Sequence, residues 1–260
     1  MREINFKQGK EVIAVKAFSV PVTLLVVLCL ISFILGCGDA EVTEELTEEN
    51  MEAPDLNNSE LDGKDLSLPA PSREEGSVAD ALYRRVSQRS FSDEALDLND
   101  AATLLWAAGG LNIDGETGPT RTSPSAGGTY PLDFYLVAGN VEDLAPGIYR
   151  YDYINHDLVP VIEGDRREPL AEAALGQGFI AEAPASIVFV AHFERTTSRY
   201  GERGERYVYM DTGYAAQSVH LQTAELGLGT VAIGAFDDAE VAALLETDGA
   251  PLKIMPVGRP

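Results

Sequence analysis

The residues best suited to chemistry lie in three short stretches of the chain. The first, Arg85-Val86-Ser87-Gln88-Arg89, places two guanidinium groups and a hydroxyl within one short segment. If this segment is helical, Arg85 and Arg89 lie on one face, because positions i and i+4 are neighbours on a helix. Arginine binds phosphate through two parallel hydrogen bonds, so the segment predicts an anion site. A solvated basic face, paired with acids such as Asp80, fits these residues equally well.

The second stretch runs from Arg121 to Val137 and changes character halfway. Its first part, Ser123-Pro124-Ser125-Ala126-Gly127-Gly128, has the composition of a loop, whereas Leu132 to Val137 is apolar and aromatic. The change predicts a loop that enters a buried strand. Small residues would let a flat ligand lie close to the backbone of this loop. On composition alone, a plain turn before a strand is the simpler interpretation.

The third stretch, Gly227-Leu228-Gly229 followed by Thr230 to Phe236, indicates a helix end that leads into a buried strand. Gly234 falls inside this predicted strand. A glycine within a strand indicates either a close approach to the backbone, as by a ligand, or a structural bulge.

Several other kinds of chemistry find no support in the sequence. His156, His192 and His220 are far apart, and the only cysteines are Cys29 and Cys37, so we predict no metal site. The patterns of a serine-hydrolase elbow and of a P-loop are absent. The formal net charge of -23 argues against nucleic acid as a partner, because a phosphate backbone favours basic surfaces.

The N-terminal residues have the pattern of an export signal. Three lysines precede an apolar run from Val22 to Leu35, which is short for a membrane span but suits the core of a signal peptide over residues 1–36. The sequence Ile34-Leu35-Gly36-Cys37 resembles a bacterial lipobox, so we expect Cys37 to become a lipidated first residue. An uncleaved short anchor is the alternative. Both interpretations place the rest of the protein outside the cytoplasm, on a bacterial membrane.

Residues 37–76 form an acidic segment with little apolar patterning. Between 38 and 75 there are 13 acidic and two basic residues, so we predict a disordered tether. Residues 77–260 are enough for one folded domain with a substantial core.

Within residues 77–260, helices and strands alternate irregularly, which predicts an α+β fold. The longest helix is expected from Glu205 to Leu226. Its predicted inner positions mix small and large residues, as in a central helix that packs on more than one side. These positions are Met210, Gly213, Ala215, Ala216 and Leu221. We further expect helices at 77–89, 100–108, 166–175 and 237–245, and strands at 132–138, 148–153, 158–162, 186–193, 230–236 and 252–257.

Taken together and in order, these segments resemble the FMN-dependent nitroreductase family, and in particular its SagB-type, azoline dehydrogenase-like branch. The matching pieces are Arg85-x-Ser87-x-Arg89, Leu104-Leu105-Trp106-Ala107-Ala108, Arg121 to Gly127, Pro146-Gly147-Ile148-Tyr149, Gly227 to Phe236, and Pro256-Val257-Gly258. The resemblance implies a central mixed or antiparallel sheet flanked by helices. It also implies a homodimer with the long helix at the interface and FMN bound there.

The resemblance assigns roles to particular residues. It implies that Arg85, Ser87 and Arg89 contact the FMN phosphate and the polar edge of the flavin. Residues Pro124, Ser125, Ala126 and Gly127 correspond to a loop along the isoalloxazine ring. Residues Ile233, Gly234 and Ala235 correspond to backbone near the reactive N5 edge, and Arg259 is expected to complete the phosphate site.

The implied function is two-electron transfer between the flavin and a small organic or peptide substrate, with hydride exchanged at N5. In the azoline-forming branch a Lys-Tyr pair removes a substrate proton. The nearest matches here are Arg199-Tyr200 and Arg206-Tyr207, and arginine is a poor base, which leaves Tyr207 as a candidate proton donor. The alternatives are a peptide azoline dehydrogenase and a flavin-free binding or scaffold lipoprotein.

Overall fold

A computed structural model describes residues 74–112 and 120–260 of the chain. The predicted signal peptide, the lipidation residue Cys37 and nearly all of the predicted tether lie outside the described residues. Within the two described ranges, no helix combines the length and the apolar character that crossing a membrane would require.

The centre of the fold is a six-stranded sheet in which neighbouring strands are antiparallel, in the order β5-β4-β3-β6-β8-β7. A separate two-stranded sheet pairs β1 with β2. The strands are β1 (Leu111–Asn112), β2 (Thr120–Arg121), β3 (Leu132–Ala138), β4 (Gly147–Asp152), β5 (Asp157–Glu163), β6 (Ala185–Ala191), β7 (Gly229–Thr230) and β8 (Ala250–Gly258).

Seven α-helices surround the sheet in the described part of the chain, and side chains cap several of them. The carboxylates of Asp97 and Asp237 and the hydroxyl of Ser77 accept hydrogen bonds from first-turn amides. The helices are α1 (Val78–Arg84), α2 (Leu98–Gly109), α3 (Arg167–Ala173), α4 (Phe179–Glu182), α5 (Glu194–Tyr200), α6 (Arg203–Glu225) and α7 (Asp238–Leu244). A single 3₁₀ turn, Ala126–Gly128, precedes β3.

Strands β3 and β6 are buried on both sides, because helices cover each face of the sheet. On one face, Phe134 and Phe189 meet edge to face at 5.0 Å and pack in a cluster with α2 and α6. On the other face, alternate residues of the same strands pack with α3, α4 and α7. This arrangement confirms the predicted α+β class with helices on an antiparallel sheet.

The long helix α6 has two distinct faces. A continuous stripe of its residues is buried: Gly204, Val208, Asp211, Thr212, Ala215, Ala216, Val219, His220, Thr223 and Ala224. The opposite face exposes three large apolar side chains, Tyr209, Met210 and Tyr214. The prediction that Met210 and Gly213 are inner positions was therefore wrong, because both lie on the exposed face.

Two predicted elements end earlier than expected. The first helix stops at Arg84, and Arg85 has an extended backbone (φ -55°, ψ 119°), so Arg85 and Arg89 do not share a helix. The segment is extended because Ser87 pairs with Thr230 as in a sheet. The predicted strand 230–236 is also wrong beyond Thr230. After β7 only Ile233 pairs with the sheet, through Ile254.

Candidate functional site

Three segments that are distant in the sequence lie side by side at the β7 edge of the sheet. The amide of Gln88 donates to the carbonyl of Thr230 at 2.9 Å, and the amide of Ser92 donates to the carbonyl of Arg259 at 2.9 Å. In addition, Gly229 pairs with Gly258. The structure therefore brings together the arginine segment, the start of the 229–235 stretch and the C-terminal residues.

The arginines of this edge differ in how far their charges are neutralised. Arg84 bonds Asp80 at 2.7 Å and Glu225 at 3.2 Å. Arg85 and Arg89, which are half-buried and exposed, form no ion pair with any residue in 74–112 or 120–260. Alternate residues of an extended segment point to the same side. Residues 85, 87 and 89 can therefore still act together, although not for the helical reason that we expected.

Arg259 lies beside this segment but is already paired. Its Nε atom is 3.1 Å from the Glu94 carboxylate, and both side chains are largely exposed. An exposed pair of this kind contributes at most about 1 kcal/mol, so an incoming phosphate could compete for the guanidinium.

A buried histidine lies next to the arginine segment. His220 lines a pocket with Arg85, Gln88, Gly229 and Pro260, and its Nδ1 atom has no hydrogen-bond partner among the described residues. Burial, and to a lesser extent the charges of Arg85 and Lys253, lower its pKa to about 4. The ring is therefore neutral at pH 7, and the positive charge of this pocket comes from arginine.

The stretch that follows β7 leaves the sheet and exposes its backbone. Ile233 is buried, whereas Gly234 and Ala235 are exposed. A Cβ placed on Gly234 would meet no protein atom within 4 Å. The glycine therefore does not accommodate a neighbouring segment of this chain, and the surface in front of it is open.

The loop from Pro124 to Gly127 is held in a different place, against the N-terminal half of α6. The Ser125 hydroxyl donates to the Asp211 carboxylate at 2.7 Å, and the Ala126 amide donates to the same oxygen at 3.3 Å. Ser125 also accepts a hydrogen bond from the amide of Tyr130. One buried acid thus fixes the conformation of the loop. Asp211 is not among the predicted site residues, although an acid between Val208 and Ala215 on a buried stripe is the signal that could have revealed it.

The carboxyl group of Asp211 can be tested through the dependence of stability on pH. Burial raises its pKa, while the bonds from Ser125 and Ala126 partly offset this rise. Because the unfolded chain ionises first, stability falls as the pH rises from the unfolded pKa to the folded one, and the loss persists above it. We expect Asp211→Asn, which keeps the acceptor oxygen but cannot ionise, to abolish this fall in urea unfolding measured from pH 3 to 8.

Asp211→Ala provides the matched control. It leaves Ser125 and Ala126 without their acceptor, so the free energy of unfolding at pH 7 should drop by about 1–3 kcal/mol. Equal stabilities of the Asn and Ala variants at pH 7 would show that Asp211 does not hold the loop.

Gly127 has a conformational role and a contact role. Its φ of +60° lies in the left-handed region, and an added Cβ would lie 2.3 Å from the Tyr200 hydroxyl. Gly128 has a similar φ of +66°, but a Cβ there would lie 3.8 Å from its nearest neighbour, Tyr130. We expect Gly128→Ala to cost about 1–2 kcal/mol in urea unfolding, from backbone strain alone, and Gly127→Ala to cost more. An equal or smaller cost for Gly127→Ala would contradict the Tyr200 contact.

A buried guanidinium closes the inner side of this loop. Arg121 is 9% exposed, donates from Nε to the carbonyl of Gly109 at 2.5 Å, and stacks 4.0 Å from the ring centre of Tyr153. With Ser125, Asp211 and other residues it lines a small pocket under the loop. Burial lowers the pKa of Arg121, but a guanidinium stays protonated at neutral pH, so its role here is structural or electrostatic rather than that of a base.

Tyr207, the predicted proton donor, is half-buried and lies next to a second tyrosine. The rings of Tyr207 and Tyr200 meet edge to face at 5.2 Å. Of the two, Tyr200 is the one in contact with Gly127. The structure thus adds Tyr200 to the candidate proton donors beside the loop.

The two groups of predicted residues do not meet within one chain. The loop residues contact α6 at Asp211, whereas the arginine segment lies near the other end of that helix, where Arg84 donates to the carbonyl of Ala224. At about 1.5 Å per residue, these two positions on α6 are roughly 20 Å apart. In one described chain the two groups therefore do not line a single cleft. We call the Pro124–Gly127 loop and the 85–89 segment the two half-sites.

Comparison with known proteins identifies the class to which this chain belongs. The pattern of the nitroreductase family matches residues 82–259, so the chain belongs to that family and is an oxidoreductase. A Methanocaldococcus jannaschii protein named as a nitroreductase is 41% identical over 197 residues, which cover 76% of this chain and 98% of that protein.

Other relatives add detail to this membership. A nitroreductase structure from Ralstonia eutropha JMP134 is 31% identical, with a TM-score of 0.61 over 74% of this chain and 87% of its own. The trifolitoxin operon protein TfxC of Rhizobium leguminosarum bv. trifolii is 28% identical over 74% of this chain, and the match spans 58% of TfxC. A chain of the Escherichia coli microcin synthetase McbBCD complex shares the fold, with a TM-score of 0.63 over 93% of this chain and 94% of its own, at 21% identity.

Proposed function

We propose that this protein is an FMN-dependent oxidoreductase that transfers two electrons to or from a small organic or peptide substrate. The observation that best supports the proposal is a pair of arginines, Arg85 and Arg89, that have no acidic partner among the described residues of this nitroreductase-family chain. Their segment pairs with Thr230, from which the chain continues to the exposed Gly234 and Ala235.

The chemistry of these residues fits FMN. The guanidinium groups of Arg85 and Arg89, with the Ser87 hydroxyl, would hold the phosphate and the polar edge of the ring, and Arg259 would join them by releasing Glu94. The open surface at Gly234 would admit a flat ring beside Ile233 and Ala235. When bound, FMN supplies hydride transfer at N5, and the protein supplies orientation and charge.

The separation of the two half-sites supports a homodimer. The loop Pro124–Gly127 of one protomer would face the flavin held by the arginine segment of its partner. The exposed apolar face of α6, with Tyr209, Met210 and Tyr214, provides surface for such an interface. We therefore place α6 at the dimer contact and FMN between protomers.

The residues beside the loop suggest how a proton is handled. Tyr207 or Tyr200 would donate a proton to the reduced substrate, since the guanidinium groups of the neighbouring arginines do not release theirs. A peptide substrate is the second candidate, because relatives include TfxC and the microcin B17-processing protein McbC. To oxidise an azoline, which loses a hydride to the flavin and a proton to a base, this chain would have to remove the proton without the lysine of the Lys-Tyr pair.

Turnover distinguishes these activities from a flavin-free scaffold. The purified full chain, loaded with FMN and reduced anaerobically with dithionite, should pass electrons to a quinone or nitro compound faster than free FMN does. A rate equal to that of free FMN would contradict the oxidoreductase proposal. Oxidation of an azoline peptide to an azole, with no reaction of the small acceptors, would favour the peptide alternative.

We further propose that the protein is a membrane-anchored lipoprotein outside the cytoplasm. The proposal rests on the lipobox-like sequence before Cys37 and on the acidic segment that follows it. Mass spectrometry of the mature N-terminus should find a lipidated Cys37, whereas an intact Met1 would contradict processing.

A further inference from the structure

Three arginines and two tyrosines form a compact patch around the junction of α5 and α6. We name Arg199, Tyr200, Arg203, Arg206 and Tyr207 the arginine–tyrosine patch. Helix α5 ends at Tyr200 and α6 begins at Arg203, so the junction places both helix ends at one side of the molecule. Arg203 and Arg206 are three residues apart on α6 and therefore share a face.

The patch adjoins the loop that we assign to the flavin. The Nη1 atom of Arg199 donates to the carbonyl of Gly127 at 2.8 Å. The Tyr200 hydroxyl lies where a side chain at position 127 would begin. A molecule bound at the patch would therefore lie next to the turn Ala126–Gly128.

Within residues 74–112 and 120–260, no acidic side chain neutralises the guanidinium groups of the patch. Among the described residues, Arg199, Arg203 and Arg206 form no ion pair, and all three are exposed. Arg195, on the same helix as Arg199, shows what an available acid would do: it holds Asp133 through two hydrogen bonds of 2.7 and 3.1 Å.

Acidic side chains outnumber basic ones in this part of the chain, so the arginines of the patch have many potential partners. Residues 76–260 contain 27 acidic and 13 basic side chains. The acids next to the patch in sequence, Glu202 and Glu205, are exposed and form no ion pair with it. Residues 199–207 carry three arginines and two glutamates, a local net charge of +1 on an acidic protein, and such a site attracts anions from solution.

The aromatic rings add shape to this charge. Arg199 lies 5.4 Å from the ring centre of Tyr200, and Arg203 lies 5.9 Å from that of Tyr207. Both rings are half-buried and stand edge to face. Guanidinium groups bind carboxylates through paired hydrogen bonds, and aromatic faces bind planar groups. The combination suits a flat molecule with a carboxylate at one end.

We propose that the arginine–tyrosine patch selects substrates that carry a carboxylate on a planar electron-accepting group. This inference rests on the proposed oxidoreductase function and defines the substrate class of the same site. Arg199 and Arg203 bind the carboxylate, and the tyrosine rings flank the planar part next to the Gly127 turn.

Two nitro compounds of similar size test the proposal. Para-nitrobenzoate carries the carboxylate, whereas para-nitrobenzamide is neutral. With dithionite as reductant, and with the rate of the same mixture without protein subtracted, each turnover takes the nitro group to a nitroso group and water, using two electrons and two protons. We expect the FMN-loaded full chain to show a kcat/KM about 10–100-fold higher for the benzoate, as for one charged bidentate contact. Most of this difference should lie in KM.

Variants identify the residues responsible. Arg203→Gln should lower the ratio by raising KM for the benzoate, with little change for the amide. Arg199→Gln with Arg203→Gln should bring the ratio close to one; because Arg199 also donates to the Gly127 carbonyl, this double variant is judged by the ratio alone. Arg166→Gln is the matched control, because it removes an arginine beside α3, on the opposite face of the sheet, and should keep the full preference. Arg203→Gln alone serves if the double variant does not fold.

Calorimetric titration with benzoate and benzamide measures binding without electron transfer. It therefore distinguishes failure of the patch proposal from failure of the oxidoreductase proposal. Reduction of both nitro compounds at equal kcat/KM, with equal binding of benzoate and benzamide, would overturn the patch proposal and leave the oxidoreductase intact. Reduction of neither, with benzoate still bound more tightly than benzamide, would overturn the proposed activity and leave the patch as an anion site.

Discussion

Replacing Arg85 and Arg89 together with alanine should weaken FMN binding by roughly a hundred- to ten-thousand-fold. Each arginine would lose a charged hydrogen bond to the cofactor, and such bonds contribute about 1.5–3 kcal/mol each. Neither guanidinium has an acidic partner among the described residues that would be left unpaired by the change. The dissociation constant, measured by titrating FMN and following its visible absorbance, reports the effect.

The control for this experiment removes two arginines elsewhere. Arg150→Ala with Arg166→Ala changes the net charge equally, on β4 and beside α3, and should leave FMN affinity within a few-fold of the wild type. If both double variants lose affinity alike, the loss comes from overall charge rather than from the 85–89 segment. An unchanged affinity in Arg85→Ala/Arg89→Ala would show that the segment does not hold the cofactor.

Phe134→Ala should lower the free energy of unfolding by about 3–5 kcal/mol, the range for removing a buried aromatic side chain. Phe134 is 1% exposed and meets Phe189 edge to face at 5.0 Å. It also lines the small pocket under the Pro124–Gly127 loop, beside Arg121. The change would therefore weaken the core and the support of the loop at the same place.

Phe193→Ala is the matched substitution outside the core. Phe193 is half-buried and its ring contacts Tyr209, so only part of its surface leaves water on folding. We expect a loss of about 1–2 kcal/mol in the same urea experiment. A Phe134→Ala loss no larger than that of Phe193→Ala would contradict the central position of Phe134.

The elements that the sequence predicted well are those whose own residues determine them. The apolar run after Pro131 predicted a strand at 132–138, and β3 has these bounds. The long helix was placed within two residues at its start and one at its end. In both cases a continuous local pattern is buried against the core, so hydrophobic periodicity is sufficient.

The elements that were predicted wrongly are set by contacts between distant parts of the chain. The pattern from Val78 to Val86 is helical, yet the helix ends at Arg84 because Ser87 pairs with Thr230. Local propensity does not contain that pairing. The stretch after Thr230 is apolar enough for a strand, but it leaves the sheet edge and pairs again only at Ile233.

The residues of the candidate site also divide into those that the sequence predicted and those that depend on contacts between distant parts of the chain. The resemblance supplied Arg85, Arg89 and the Pro124–Gly127 loop from their sequence motifs. It did not supply the bond between Ser125 and Asp211, since that contact depends on how α6 packs against the loop. The arginine–tyrosine patch was likewise visible in the sequence only as two Arg-Tyr pairs. Its relation to Gly127 required the structure.

The central claim, that this chain binds FMN, is tested most directly by reconstitution. The purified full chain is incubated with excess FMN, separated from free cofactor by gel filtration, and examined by visible absorption. We predict a protein peak that retains flavin absorbance close to one FMN per chain. A peak without flavin absorbance, from a chain that is folded by circular dichroism, would contradict the proposal.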